Sequence, residues 1–176
     1  MSKPVSKIAF RFMAFFIRCR DIFSPPHKEL ERLGIDFEGN QLLDYGCGPG
    51  GYSIAAAKIV GKNGKVHAAD IHPLAIKYVK QKAKKSNITN IDFIQTDCET
   101  GLSNNSIDRI MFYDILHLIN NHERNLQEFH RILKKNGTLI VSNHHMKEKE
   151  ILQAITTNNL FKLAFNVNKT YIFEKS

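Results

Sequence analysis

The stretch Leu42-Leu43-Asp44-Tyr45-Gly46-Cys47-Gly48-Pro49-Gly50-Gly51 decides how this chain folds. It opens as a short apolar run of the kind that forms a buried strand, and it closes on four glycines, Gly46, Gly48, Gly50 and Gly51. Glycine tolerates positive φ and has no side chain, so a strand-to-helix turn of this composition lets the backbone approach a ligand at the start of a helix. Gly46-x-Gly48-x-x-Gly51 also satisfies the dinucleotide fingerprint, and spacing alone leaves the ligand open.

Outward from that turn, short apolar runs alternate with stretches of helical period, the pattern of a parallel sheet flanked by helices. Gln41–Tyr45, Lys65–Ala69, Ile91–Thr96, Ile107–Tyr113 and Thr138–Ser142 read as strands. Tyr52–Val60, Pro73–Lys85, Glu123–Leu133 and Lys147–Asn158 read as helices, with Lys134–Gly137 supplying basic residues and a glycine at the end of the third. Phe161–Asn166 and Thr170–Glu174, separated by Val167-Asn168-Lys169, form a terminal hairpin. Ahead of the sheet, Ile8–Phe23 reads as a helix that Pro25-Pro26 stops.

The 176 residues suffice for one domain with one core, and 43% hydrophobic with 24% charged content is ordinary for a globular chain. Cys19, Cys47 and Cys98 match neither a disulfide framework nor a paired zinc pattern, which suits a reducing, cytoplasmic location. Arg11 and Arg18 interrupt the N-terminal apolar run well short of a membrane span, and no cleavage site of a secretory signal follows. The net charge of +8 favours polyanions without choosing among them, and Lys77, Lys80, Lys82, Lys84 and Lys85 read as a solvated helix face.

Three aspartates narrow the ligand. Asp44, two positions before the first glycine, would repel a pyrophosphate and attract a cationic amino group. Asp70 ends the second strand, 24 positions after Gly46, where a carboxylate accepts from ribose hydroxyls; Asp97 ends the third and could hold an adenine amino group. Singly, they read equally well as a buried acceptor, a helix cap and a turn former. Their placement at three successive strand ends favours one shared ligand.

On these residues the chain resembles the class I S-adenosylmethionine-dependent methyltransferases. Leu43–Gly50 matches that family's first motif, Val66–Asp70 its second and Phe93–Cys98 its third, while Ile107–Tyr113 and Arg131–Leu139 resemble its fourth strand and the approach to its fifth. The resemblance implies a three-layer Rossmann-like α/β sandwich around a seven-stranded, mostly parallel sheet in order 3-2-1-4-5-7-6, strand 7 antiparallel. It also implies one methyltransferase domain over 1–176, with an N-terminal lid helix and linker in 1–30 and the cofactor-binding core in 41–176.

By the same likeness, S-adenosyl-L-methionine is the cofactor and S-adenosyl-L-homocysteine the product. Asp44, Gly46, Cys47, Gly48 and Gly50 would meet the methionine part, Asp70 the ribose, Ile71 an adenine face, and Asp97 with the Cys98 backbone the adenine edge. Tyr113 would lie near the sulfur. Tyr45 departs from the smaller aliphatic residue of many relatives, without threatening binding.

Methyl transfer from a sulfonium is an in-line displacement in which aligning the acceptor does much of the work. His117, just beyond the fourth strand where relatives often carry a histidine near the acceptor, is the expected catalytic residue; a histidine packed at a strand-to-helix corner is the plainer reading. A metal held by His117, His144, His145 and Asp114 is conceivable but has no ligand-like spacing, so no metal is expected.

Tyr113-Asp114-Ile115-Leu116 stands where base-modifying relatives carry an Asn/Asp-Pro-Pro-Tyr/Phe tetrapeptide, and no Pro-Cys pair offers a nucleophile for pyrimidine methylation. The expected acceptor is therefore a small, rather apolar molecule, with Ile8, Phe12, Phe15, Phe16 and Ile17 lining an apolar lid; those aromatics could equally pack on the sheet. RNA or protein methylation is the less favoured alternative. A non-catalytic interaction module is argued against by intact Asp44, Asp70 and Asp97. Residues 1–23, basic and amphipathic, could also rest on an anionic membrane. Oligomeric state is left open.

Overall fold

A computed structural model describes residues 4–119 and 121–176, so Met1 to Lys3 of the expected N-terminal segment lie outside the described residues. The chain runs α1 (Lys7–Phe23), α2 (Pro26–Arg32), β1 (Gln41–Tyr45), α3 (Gly51–Ile59), β2 (Lys65–Asp70), α4 (Pro73–Lys85), β3 (Ile91–Gln95) and β4 (Ile107–Tyr113). A 3₁₀ turn (Leu116–Leu118) follows, then α5 (His122–Ile132), β5 (Leu133–Ser142), α6 (Glu148–Thr156), β6 (Phe161–Val167) and β7 (Thr170–Lys175). The strands form one seven-stranded sheet in the order β3-β2-β1-β4-β5-β7-β6, as the resemblance implies, with helices flanking it.

Two compact units divide the chain, residues 1–97 and 98–176. In the first, β1, β2 and β3 pair in parallel, Tyr45 beside Ala69 and Asp70 beside Gln95, so their carboxyl ends lie level. Leu42, Leu43, Val66, Ala68 and Ala69 are buried along β1 and β2, the mark of strands covered on both faces. Helix α3 packs on β1 and β2, and α4 on β2 and β3. In the second unit β4 and β5 are parallel, while β7 runs antiparallel between β5 and β6. Here α5 packs on β5 and α6 on β6.

Two elements differ from expectation. Pro25-Pro26 ends α1 as expected, but Pro26 also takes the first position of α2, where a proline's missing N–H costs nothing. Strand β5 begins at Leu133 rather than Thr138: Leu133 pairs with Ile107, the register then shifts, and Arg109 meets Thr138. Gly137 therefore caps no helix. A Cβ there would lie 3.1 Å from both the Ile107 and the Asp108 carbonyls, so glycine is demanded by close backbone approach in the irregular start of the strand. Lys134 belongs to the same segment and donates to both Asp108 carboxylate oxygens at 2.8 and 2.9 Å.

Candidate functional site

Asp44 sits at the carboxyl end of β1, 3% exposed, where its carboxylate accepts the Ser53 hydroxyl at 2.5 Å. Burial pushes it up from its ordinary 3.8 to about 7; the Ser53 hydroxyl opposes the rise and the nearby Asp70 carboxylate adds to it. A buried carboxylate whose charge is poorly compensated is stabilised in its ionised form by a cation placed beside it.

The glycine turn is bolted to the end of β2. Gly46 and Cys47 both donate their N–H groups to the Ala69 carbonyl, at 2.8 and 3.0 Å, and Gly48 N–H donates to Asp70 Oδ2 at 2.9 Å. Gly46, Gly48 and Gly50 hold φ of 81°, 50° and 80°, the left-handed conformations that glycine adopts freely. Burial raises Asp70 as well, while the His72 and Gly48 amides oppose the rise. Its Oδ1 accepts from His72 N–H at 2.7 Å, so two of about four acceptor sites on the carboxylate are used and the others can take hydroxyl donors.

Asp70 is not the cap of α4. His72 is, its Nδ1 accepting from Leu74 N–H at 3.0 Å. Ile71, half-buried, lies between the two. At the end of β3 the Asp97 carbonyl accepts the Tyr45 hydroxyl at 3.0 Å, so the unusual Tyr45 ties the end of β1 to the chain leaving β3. The Cys47 thiol is pushed well above its ordinary range, first by burial and then by Asp44 and Asp70, and is no nucleophile. Ser53, His72 and the contacts of Tyr45 carry no sequence signal beyond residue type.

Helix α1 lies against the same two loops. Phe10 stacks on His72 with ring centroids 4.1 Å apart, and Arg18 lies 4.6 Å over the Tyr78 ring. Towards its end, Arg20 pairs with Asp21 at 3.0 Å, and a methyl group at Gly51 would run into the Asp21 carboxylate. The buried residues of the helix are Phe10 and Ala14. Ile17 is half-buried, and Ile8, Phe12, Phe15 and Phe16, expected to line a lid, point to solvent instead.

In the second unit, Cys98 is buried with its Sγ 3.5 Å from the Arg124 carbonyl, and Tyr113 ends β4 half-buried. Asp114 follows at φ 53°, a left-handed conformation that costs a non-glycine residue about 1–3 kcal/mol and clusters at functional sites. Its carboxylate accepts from His144 twice, from the backbone N–H at 2.9 Å and from Nδ1 at 2.8 Å.

Asn143 Oδ1 accepts from His145 N–H at 2.9 Å, which fixes the amide so that its NH₂ donates to His117 Nδ1 at 3.1 Å. The tautomers follow. A carboxylate only accepts, so Nδ1 of His144 bears a proton, and in the neutral imidazole Nε2 is the bare nitrogen. His117, accepting at Nδ1, carries its proton on Nε2 and presents a donor. Burial, then the charge of His145, lowers His117 below the ordinary histidine range. Among the described residues no three His, Cys, Asp or Glu side chains are arranged to hold a metal ion.

The family model described as a methyltransferase domain matches residues 36–172. Among curated proteins, the chain is 34% identical over 92 residues to the aklanonic acid methyltransferase DauC of Streptomyces sp. (strain C5), covering 52% of this chain and 42% of that protein. It is 32% identical over 121 residues to the ubiquinone/menaquinone biosynthesis C-methyltransferase UbiE of Hydrogenovibrio crunogenus, covering 65% and 48%. The chain thus spans about half the length of the curated relatives it matches.

In fold it is similar to a Methanococcus maripaludis protein at a TM-score of 0.80, 16% identity and coverage of 100% and 97%. It is similar in the same sense to a SAM-dependent methyltransferase from Aquifex aeolicus, at 0.73, 23%, 84% and 86%. With most of its length inside that family model, the chain belongs to the methyltransferase-domain family.

Proposed function

We propose that the chain is an S-adenosyl-L-methionine-dependent methyltransferase acting on a small, apolar acceptor. The observation that carries the reading is Asp44, a buried carboxylate raised to about 7, beside a glycine turn held by Asp70. When bound, the cofactor supplies a methyl group on a positively charged sulfur, open to in-line displacement. By the family resemblance, Asp44 would take its cationic amino group, and Gly46, Cys47, Gly48 and Gly50 would line the methionine part. The remaining acceptor sites of Asp70 would take the ribose hydroxyls. Ile71 would cover an adenine face, Asp97 and the Cys98 backbone would read the adenine edge, and Tyr113 would border the sulfur.

For acceptors that lose a proton, the bare Nε2 of His144, backed by Asp114, takes it, and His117 acts as a donor that orients the acceptor. The acceptor class is supported by the activities for which the relatives are named, aklanonic acid methylation and ubiquinone/menaquinone biosynthesis. Calorimetry with S-adenosyl-L-methionine tests the cofactor. Affinity is expected to fall about tenfold per unit as pH drops below 7, because a protonated Asp44 must ionise first. Absence of binding refutes the reading. Release of S-adenosyl-L-homocysteine over a panel of phenols, quinones, thiols, amines, RNA and peptides tests the acceptor, and turnover on RNA or peptide alone overturns it.

A further inference from the structure

Successive residues of an α-helix are 100° apart, and on α1 this sorts the side chains into two opposed apolar faces. Phe10 and Ala14, 2% and 1% exposed, face the protein. On the opposite side lie Ile8, Phe12, Phe15, Phe16, Ile22 and Phe23, which are 69%, 65%, 61%, 67%, 74% and 88% exposed. Large apolar side chains that share one face of a helix and meet only water mark an interaction surface. Lys7, Arg11 and Arg18, all exposed, form a row along one border of that face. The single acid of the helix, Asp21, is engaged with Arg20 and lies at the start of α3.

We propose that this face of α1 docks the protein flat on an anionic lipid surface, phenylalanines in the acyl boundary and Lys7 and Arg11 against the headgroups. Charge selects this occupant. A second copy of the chain would bring a border of like charge to the face and no acid to meet it, whereas an anionic bilayer complements both the border and the net charge of +8. The helix lies on the surface and does not enter it: no helix among the described residues is long and apolar enough to cross a membrane. It also precedes the residues matched by the family model, 36–172.

Co-sedimentation of the full chain with phosphatidylcholine vesicles, with and without phosphatidylglycerol, tests the proposal. The chain is expected to pellet with the anionic vesicles and to be released by high salt. The triple variant Phe12→Ser/Phe15→Ser/Phe16→Ser should lower the partition by about tenfold or more. Lys7→Glu/Arg11→Glu should remove the preference for anionic lipid. All the substituted side chains are exposed, so melting temperature should hold in both variants, which separates lost docking from lost folding. Failure of the parent chain to bind vesicles, or unchanged binding by the triple variant, overturns the proposal. So does sedimentation velocity showing a dimer that the triple variant dissolves. None of these outcomes depends on whether the cofactor binds.

Discussion

At the scale of single residues, the burial that suits Asp44 to its proposed role as a cation receptor also costs stability. Its folded value of about 7 lies above the ordinary 3.8. For an acid raised on folding, the unfolded chain ionises first, so stability is full below about 4, declines up to about 7 and is flat beyond, a loss of up to about 4 kcal/mol. Asp44→Asn keeps the shape and can still accept from Ser53. It should therefore raise the melting temperature at pH 8 by roughly 5 °C or more, with the gain vanishing near pH 4, while cofactor affinity collapses; paired melts and titrations at the two pH values check it.

The histidines offer a second comparison. His144→Ala should lower kcat by about a hundredfold for proton-losing acceptors, and His117→Ala by less than about tenfold, with cofactor affinity unchanged in both. Equal losses would refute the division of roles. The sequence could show that histidines lay near both strand ends, but which nitrogen bears a proton depends on Asn143 and Asp114, and no spacing encodes those contacts.

Among elements, the β6–β7 hairpin turns on Asn168 and Lys169, both left-handed at φ 46° and 66°, between paired Val167 and Thr170. That is the two-residue turn in which glycine is favoured second, so Lys169→Gly should stabilise by roughly 0.5–1 kcal/mol in urea unfolding. The hairpin was legible because its strands alternate with clear turn residues; four of the other strands and α4 also fell within a residue of their expected bounds. What escaped did so for physical reasons. A proline can stop one helix and start the next, so α2 was hidden behind α1. Gly137 looks the same at a helix end as in a strand bulge, and only the neighbouring carbonyls distinguish the two. In α1 both faces are apolar, and periodicity groups residues into faces without saying which one the protein covers.

On the scale of the whole molecule, the sheet order was readable because the terminal hairpin accompanies a recognisable cofactor turn, and the aspartates at the ends of β1, β2 and β3 fall on strands whose carboxyl ends the pairing aligns. The second unit depends on β7 more than on β6. Phe173 is fully buried on β7, while Leu163, opposite it on β6, is 41% exposed. Phe173→Ala should thus cost about 3–5 kcal/mol and Leu163→Ala less than about 1, measured by chemical denaturation.

The position of β7 between β5 and β6 also imposes a schedule on biosynthesis. The ribosome makes β6 before β7, yet β6 has no neighbour to pair with until β7 has emerged and seated itself on β5. During that interval β5 presents an open edge and Phe161 of β6, 1% exposed in the finished fold, is unshielded, so the nascent chain is vulnerable to aggregation until β7 is seated.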